Sequence, residues 1–125
     1  MNSTVETITK EELSKMLGRE RLVLIDLRLN WASAERKIKT AVHEEADGVD
    51  NWVSKYDRED MMVVYCSSPA EKTSRTAALK LKQEGFRRVR VLHGGWAVWE
   101  SAGLPLQRKS AAPTPQGLIS EVLTD

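Results

Sequence analysis

Cys66 is the only cysteine in the chain, and it ends the apolar run Met61-Met62-Val63-Val64-Tyr65. After it comes Ser67-Ser68-Pro69-Ala70-Glu71-Lys72-Thr73-Ser74-Arg75, a polar stretch that leads into a helical pattern. A loop curled at a helix start turns several backbone N–H groups inward, and these groups together with the helix dipole stabilise an anion. The same field lowers a thiol pKa and enriches the thiolate, which is the nucleophilic form. Lys72 and Arg75 add positive charge, and Ser67, Ser68, Thr73 and Ser74 add hydroxyl donors. The chemistry this predicts is covalent catalysis by Cys66, with the loop residues binding a small anionic substrate. The plainer alternative is that Cys66 fills space as a small buried hydrophobe. Glu71 would oppose the anion-binding field if it faced inward, and it is expected to face solvent.

The elements that must position Cys66 follow from the hydrophobic pattern. Thr9-x-x-Glu12 is a capping box ahead of Leu13, Met16 and Leu17, one face of a short helix that Gly18 can end. Leu22 to Leu27 and Met61 to Cys66 are apolar at nearly every position, as strands covered on both faces are. Residues 28–40 read mostly as loop with one helical turn near Ala34, and residues 41–43 as a short strand. Val49, Trp52, Val53 and Tyr56 recur at helical spacing. Thr73 to Glu84 reads as a helix with Ala77, Ala78 and Leu81 inward. Val89 to Leu92 reads as a strand, Gly94-Gly95 as a turn, and Trp96 to Ala102 as a helix stopped by Gly103 and Pro105. Strands alternating with helices predict an α/β fold, with a central, mostly parallel sheet and helices on both faces. In such sheets ligands bind beyond the carboxyl ends of the strands, which is where Cys66 stands. One domain over residues 1–107 and a polar tail over 108–125, with a last helical turn at Leu118–Leu123, complete the organisation.

Composition narrows the function classes. At 125 residues and net charge +1, the chain fits one domain and shows no global bias toward nucleic acid or membrane. Residues 61–110 carry nine Lys and Arg against three Asp and Glu, so the half holding Cys66 is basic. The competing reading is that Arg87, Arg88 and Arg90 are solvated surface. One cysteine excludes an internal disulfide, and two histidines at these spacings make no zinc pattern. No apolar run would span a bilayer, and MNSTVETITKEEL has neither the basic nor the apolar region of a secretion signal. A reducing, cytoplasmic location is expected, where a thiol persists.

Three segments in order resemble the rhodanese family over about residues 7–107. They are Leu24-Ile25-Asp26-Leu27-Arg28; then Val63-Val64-Tyr65-Cys66 with its loop, Ser74-Arg75-x-Ala77-Ala78-x-x-Leu81 and Gly85-Phe86; then Val91-Leu92-x-Gly94-Gly95-x-x-x-Trp99-x-x-Ala102-Gly103-x-Pro105. The resemblance implies a rhodanese-like fold and a sulfurtransferase. The Cys66 thiolate would take the outer sulfur of thiosulfate or a related sulfane donor as a persulfide, then pass it to a thiol, a protein thiol or cyanide. No metal or organic cofactor is implied. Asp26 and Arg28 would support the site, as an ion pair or loop clamp rather than in catalysis. Of Trp96 and Trp99, at least one should pack into the core.

The match has departures. Arg75 follows Cys66 after eight residues, where many members have four, and Cys66, Pro69 and Glu71 resemble a longer-loop subgroup of bacterial single-domain members. Arg75 is therefore not equated with the family's loop arginine, and Lys72 is an alternative. The family's Gly-His-Ile-x-Gly-Ala reads Arg36-Lys37-Ile38-Lys39-Thr40-Ala41 here, so a different local loop is expected and His43 is expected to be structural or exposed. Two other functions remain open: a non-catalytic or persulfide-sensing binding module, and a cysteine-dependent phosphatase or arsenate reductase.

Overall fold

The computed structural model describes residues 5–19, 21–67 and 71–109. Five parallel strands form the central sheet: β1 (Glu6–Ile8), β2 (Leu22–Asp26), β4 (Val42–His43), β5 (Met61–Tyr65) and β6 (Arg88–Leu92), in the spatial order β1-β6-β5-β2-β4. A separate antiparallel pair joins β3 (Arg36–Ile38) to β7 (Leu106–Arg108). Four helices connect the strands: α1 (Lys10–Met16), α2 (Val49–Trp52), α3 (Lys72–Gln83) and α4 (Gly95–Ser101).

Alternation along the strands assigns each side chain to one of two cores, because successive residues of a strand point to opposite faces. Ile25, Met62, Val64, Val89 and Val91 face Val49, Trp52, Ala77, Ala78 and Leu81, so α2 and α3 cover this side. Leu24, Val63, Tyr65 and Leu92 face Leu13, Trp99 and Ile38, so α1 and α4 cover the other. Both faces are buried, which is why the strands read as apolar runs without polar alternation. The expected α/β architecture with helices on both faces is present.

The capping box forms as read: the Thr9 hydroxyl accepts from the Glu12 N–H, and the Glu12 carboxylate accepts from the Thr9 N–H. Three local expectations change. The expected helical turn near Ala34 is a 3-10 turn over Trp31–Ser33, followed by β3. The Val49–Tyr56 pattern splits into α2 and a 3-10 turn over Val53–Lys55. Polar residues beyond Gln107 continue β7 through Arg108, because β3 supplies its hydrogen bonds. The last turn expected at Leu118–Leu123 lies outside the described residues. Among the described residues, no helix is long and apolar enough to cross a membrane.

Candidate active site

Cys66 follows β5 directly and is 3% exposed. Its backbone carbonyl accepts the Trp96 N–H at 2.9 Å. Its Sγ lies 3.4 Å from the Ser74 hydroxyl, which donates to the Glu71 carbonyl at 3.2 Å. The strand end is thereby held against the first turn of α3 and the start of α4. Glu71 caps α3 in a left-handed conformation, φ 66°, and is buried. Its carboxylate accepts the Gly94 N–H at 2.6 Å and the Arg75 guanidinium at 2.9 Å. Both ends of the loop are therefore pinned to one segment, residues 94–96. Gly94 makes this approach possible: at φ 83° it is left-handed, and a Cβ there would meet Val98 at 2.5 Å.

A buried ion pair lies at the end of β2, beside Tyr65 of β5. Asp26 accepts from the Arg28 N–H at 2.9 Å and from its guanidinium at 2.8 Å, and takes the Tyr65 hydroxyl at 2.6 Å. Burial and the Asp26 carboxylate push the Tyr65 phenol far above its ordinary range, so it stays protonated and keeps donating. Tyr65 also accepts the Ile38 N–H at 3.2 Å, and Arg28 donates to the Arg36 carbonyl at 2.7 Å. The Arg28 guanidinium lies 4.1 Å from the Trp96 ring centroid, a cation–π arrangement. The pair thus ties β2, β5, β3 and α4 together on the Cys66 side of the sheet.

A cavity of about 100 Å³ opens beside the thiol, lined by Leu29, Cys66, Ser67 and Thr73. It adjoins a hollow of about 240 Å³ that shares Leu29 and Thr73 and adds Ala46, Asp47, Lys72 and Thr76. Leu29 is 77% exposed at the junction. Among the described residues, no three His, Cys, Asp or Glu side chains gather as a metal site requires.

A model of the rhodanese-like domain family matches residues 9–102. The chain belongs to this family. A protein named thiosulfate sulfurtransferase GlpE, from Glaesserella parasuis, is 27% identical over 107 residues, covering 86% of this chain and 97% of its own length. A protein named sulfurtransferase, from Allochromatium vinosum, is 32% identical over 103 residues, covering 82% of this chain and 94% of its own. The solution structure of the rhodanese-like domain of an Anabaena protein matches with TM-score 0.73 at 22% identity, over 98% of this chain and 93% of that one, a likeness of fold.

Within the rhodanese-like fold the residues singled out by sequence fall in three places. Cys66, Ser67 and Thr73 line the cavity, with Ser74 against the sulfur. Ser67 donates its hydroxyl to Asn30 at 2.9 Å. Lys72 is exposed at the first position of α3, on the adjoining hollow, while Arg75 is turned onto Glu71. Asp26 and Arg28 lie in the buried pair, and Ser68 lies outside the described residues. Glu71 corrects the expectation of a solvent-facing carboxylate: the Gly94 N–H, Arg75 and His93 give it partners inside the protein, with His93 Nδ1 at 3.3 Å. Sequence reasoning missed that role, although an acid in an otherwise cationic loop was the signal. It also missed Asn30 and Leu29, which the turn after β2 brings to the site.

The basic character of the Cys66 half is not concentrated here. Arg87 and Arg88 stand at the start of β6, the end of the sheet opposite Cys66, and both bond Glu59. Arg90 pairs with Glu6 on β1 at 3.0 Å. His43 packs face to face with Trp31, ring centroids 4.4 Å apart, and its Nδ1 lies 2.8 Å from the Asp26 carbonyl. Ile38 and Ala41 are both fully buried, while Thr40, at the family's second glycine, is left-handed at φ 74°.

Proposed function

We propose that this rhodanese-like protein is a sulfurtransferase that carries sulfane sulfur on Cys66. The observation that supports this most is the position of Cys66: at the carboxyl end of a central parallel strand, on a cavity for a small group, with the Ser74 hydroxyl 3.4 Å from its sulfur. In the first step the Cys66 thiolate attacks the outer sulfur of thiosulfate or a related donor. The donor's S–S bond breaks, sulfite or the corresponding anion leaves with the electron pair, and Cys66 becomes a persulfide. In the second step a thiolate acceptor, small or on a protein, attacks the terminal sulfur and Cys66 leaves as thiolate. This is two-step covalent catalysis, and it needs no metal or organic cofactor. The amides at the start of α3 stabilise negative charge on sulfur in each state, and the Ser74 hydroxyl adds to them when its one proton turns from the Glu71 carbonyl to the sulfur beside it. Ser67, Thr73 and Lys72 meet the donor in the cavity and the adjoining hollow. Asp26 and Arg28 act by holding the strand ends that carry the loop. A reducing compartment such as the cytoplasm suits this cycle, because it keeps Cys66 and a thiol acceptor reduced between turnovers.

A phosphatase reading has less support. It asks an arginine to clamp the phosphate, and the Arg75 fork is closed on Glu71. It also asks for a general acid, and Asp26 is fully buried and bonded to Arg28 and Tyr65.

The test is intact mass after mixing with thiosulfate. The wild type is expected to gain one sulfur atom, removable by cyanide or a thiol, and Cys66→Ser to gain none. A sulfur gain by the serine variant, or no gain by the wild type with any sulfane donor, would overturn the proposal.

A further inference from the structure

Glu71 is the one acid between Cys66 and Arg75, and its side chain is only 4% exposed. A carboxylate is not buried without partners. Here Oε2 takes the Gly94 N–H and lies beside His93, and Oε1 takes Arg75 Nε at 3.1 Å and its terminal nitrogen at 2.9 Å. The Gly94 bond holds the loop. The Arg75 bonds have an electrostatic consequence, because a guanidinium fork engaged by one carboxylate is not offered to another anion.

Residues 66–75 carry two cations, Lys72 and Arg75, and one anion, Glu71. With Arg75 cancelled by Glu71, the side chain left to balance an incoming negative charge is Lys72, which stands exposed at the first turn of α3. A dianion entering the cavity brings one charge more than that lysine offsets. The cavity also adjoins the larger hollow under Leu29, an exposed apolar side chain that a small inorganic ion has no use for. An organic group attached to the sulfur would lie there.

We propose that Glu71 is a specificity-determining residue, which cancels Arg75 and so favours alkyl persulfides over dianionic thiosulfate as sulfur donors. This rests on the sulfur-transfer reading above and names the donor class for the same site. The step is balanced: the Cys66 thiolate attacks the terminal sulfur of R–S–SH, the donor S–S bond breaks, and RS⁻ leaves with the electron pair. Cys66 then carries –S–SH, and the leaving thiolate takes a proton from water.

The test compares second-order loading of Cys66 by thiosulfate and by the persulfide of 2-mercaptoethanol, read by intact mass over time. Glu71→Gln keeps an acceptor for Gly94 and removes the charge. It is expected to raise the thiosulfate-to-persulfide rate ratio on the order of tenfold, as one unit charge acting in a protein-like dielectric would. The gain should lie in the donor concentration needed for half-maximal rate. Arg75→Gln leaves Glu71 uncompensated and should move the ratio the opposite way, so the proposal remains testable if Glu71→Gln fails to fold. An unchanged ratio in both variants, or an equal loss with both donors, would make Glu71 a structural clamp and overturn it. A wild type that takes sulfur from neither donor fails the underlying reading first, and that result is visible before any variant is compared.

Discussion

Asp26 is fully buried because every one of its bonds comes from a group that is itself held. Arg28 reaches it through backbone and side chain, and Tyr65 through a hydroxyl whose pKa burial and the Asp26 carboxylate raise, which keeps it a donor. Tyr65 serves two partners, since the same oxygen accepts the Ile38 N–H. Tyr65→Phe therefore takes the side-chain acceptor from the buried Ile38 N–H and one donor from Asp26 Oδ2, which keeps its two Arg28 nitrogens. The expected loss in urea unfolding is about 1–3 kcal/mol, the usual consequence of an unsatisfied buried polar group. A loss near zero would mean that water replaces the hydroxyl and that the pair is not a closed network. The same substitution should leave sulfur loading at Cys66 within a few fold of wild type if Tyr65 acts only by support.

The turn between β6 and α4 does more than connect two elements. Gly94 donates its N–H to Glu71, and two residues later Trp96 donates its N–H to the Cys66 carbonyl. Gly94→Ala combines an unfavourable φ with a Cβ 2.5 Å from Val98, so α4 has to move away from the loop it clamps. A cost of about 1–3 kcal/mol is expected for the strained backbone, and Cys66 loading should slow with it. Gly103→Ala is the matched control: Gly103 is also left-handed, at φ 69°, but nothing lies within 4 Å of a Cβ there. It should lower the melting temperature and leave loading unchanged. Equal loading in the two variants would show that α4 does not set the loop geometry.

At the scale of the whole molecule, stability rests on a sheet buried on both faces, and Trp99 is the largest fully buried side chain. It fills the core between β5, β6 and α1, and its indole N–H donates to the Pro105 carbonyl at 2.9 Å, next to β7. Trp99→Ala should cost about 3–5 kcal/mol, measured by chemical denaturation. Trp96, half-buried against Arg28 and Tyr65, should cost clearly less on truncation. If the two losses were equal, the Trp96–Arg28 contact would rank with the core.

Much of this protein is determined by its sequence. Apolar runs, helical spacing, a capping box and ordered glycines specify three central strands, the helices between them and the placement of Cys66 at a strand end. These are local signals: each records which side of its own element meets the core. Tertiary structure decides what local pattern cannot carry. Glu71 reads as a solvent-facing acid until Gly94, 23 residues later, is brought against it. Arg108 reads as the first residue of the tail until Arg36–Ile38 offers an edge to Leu106–Arg108. Glu6–Ile8 becomes a strand because β6 presents one, more than eighty residues away. Arg87 and Arg88 read as charge near the site until the parallel register sends them to the other end of the sheet. In each case the deciding partner is a hydrogen-bonding or charged group distant in sequence, and burial of polar groups depends on such partners rather than on periodicity.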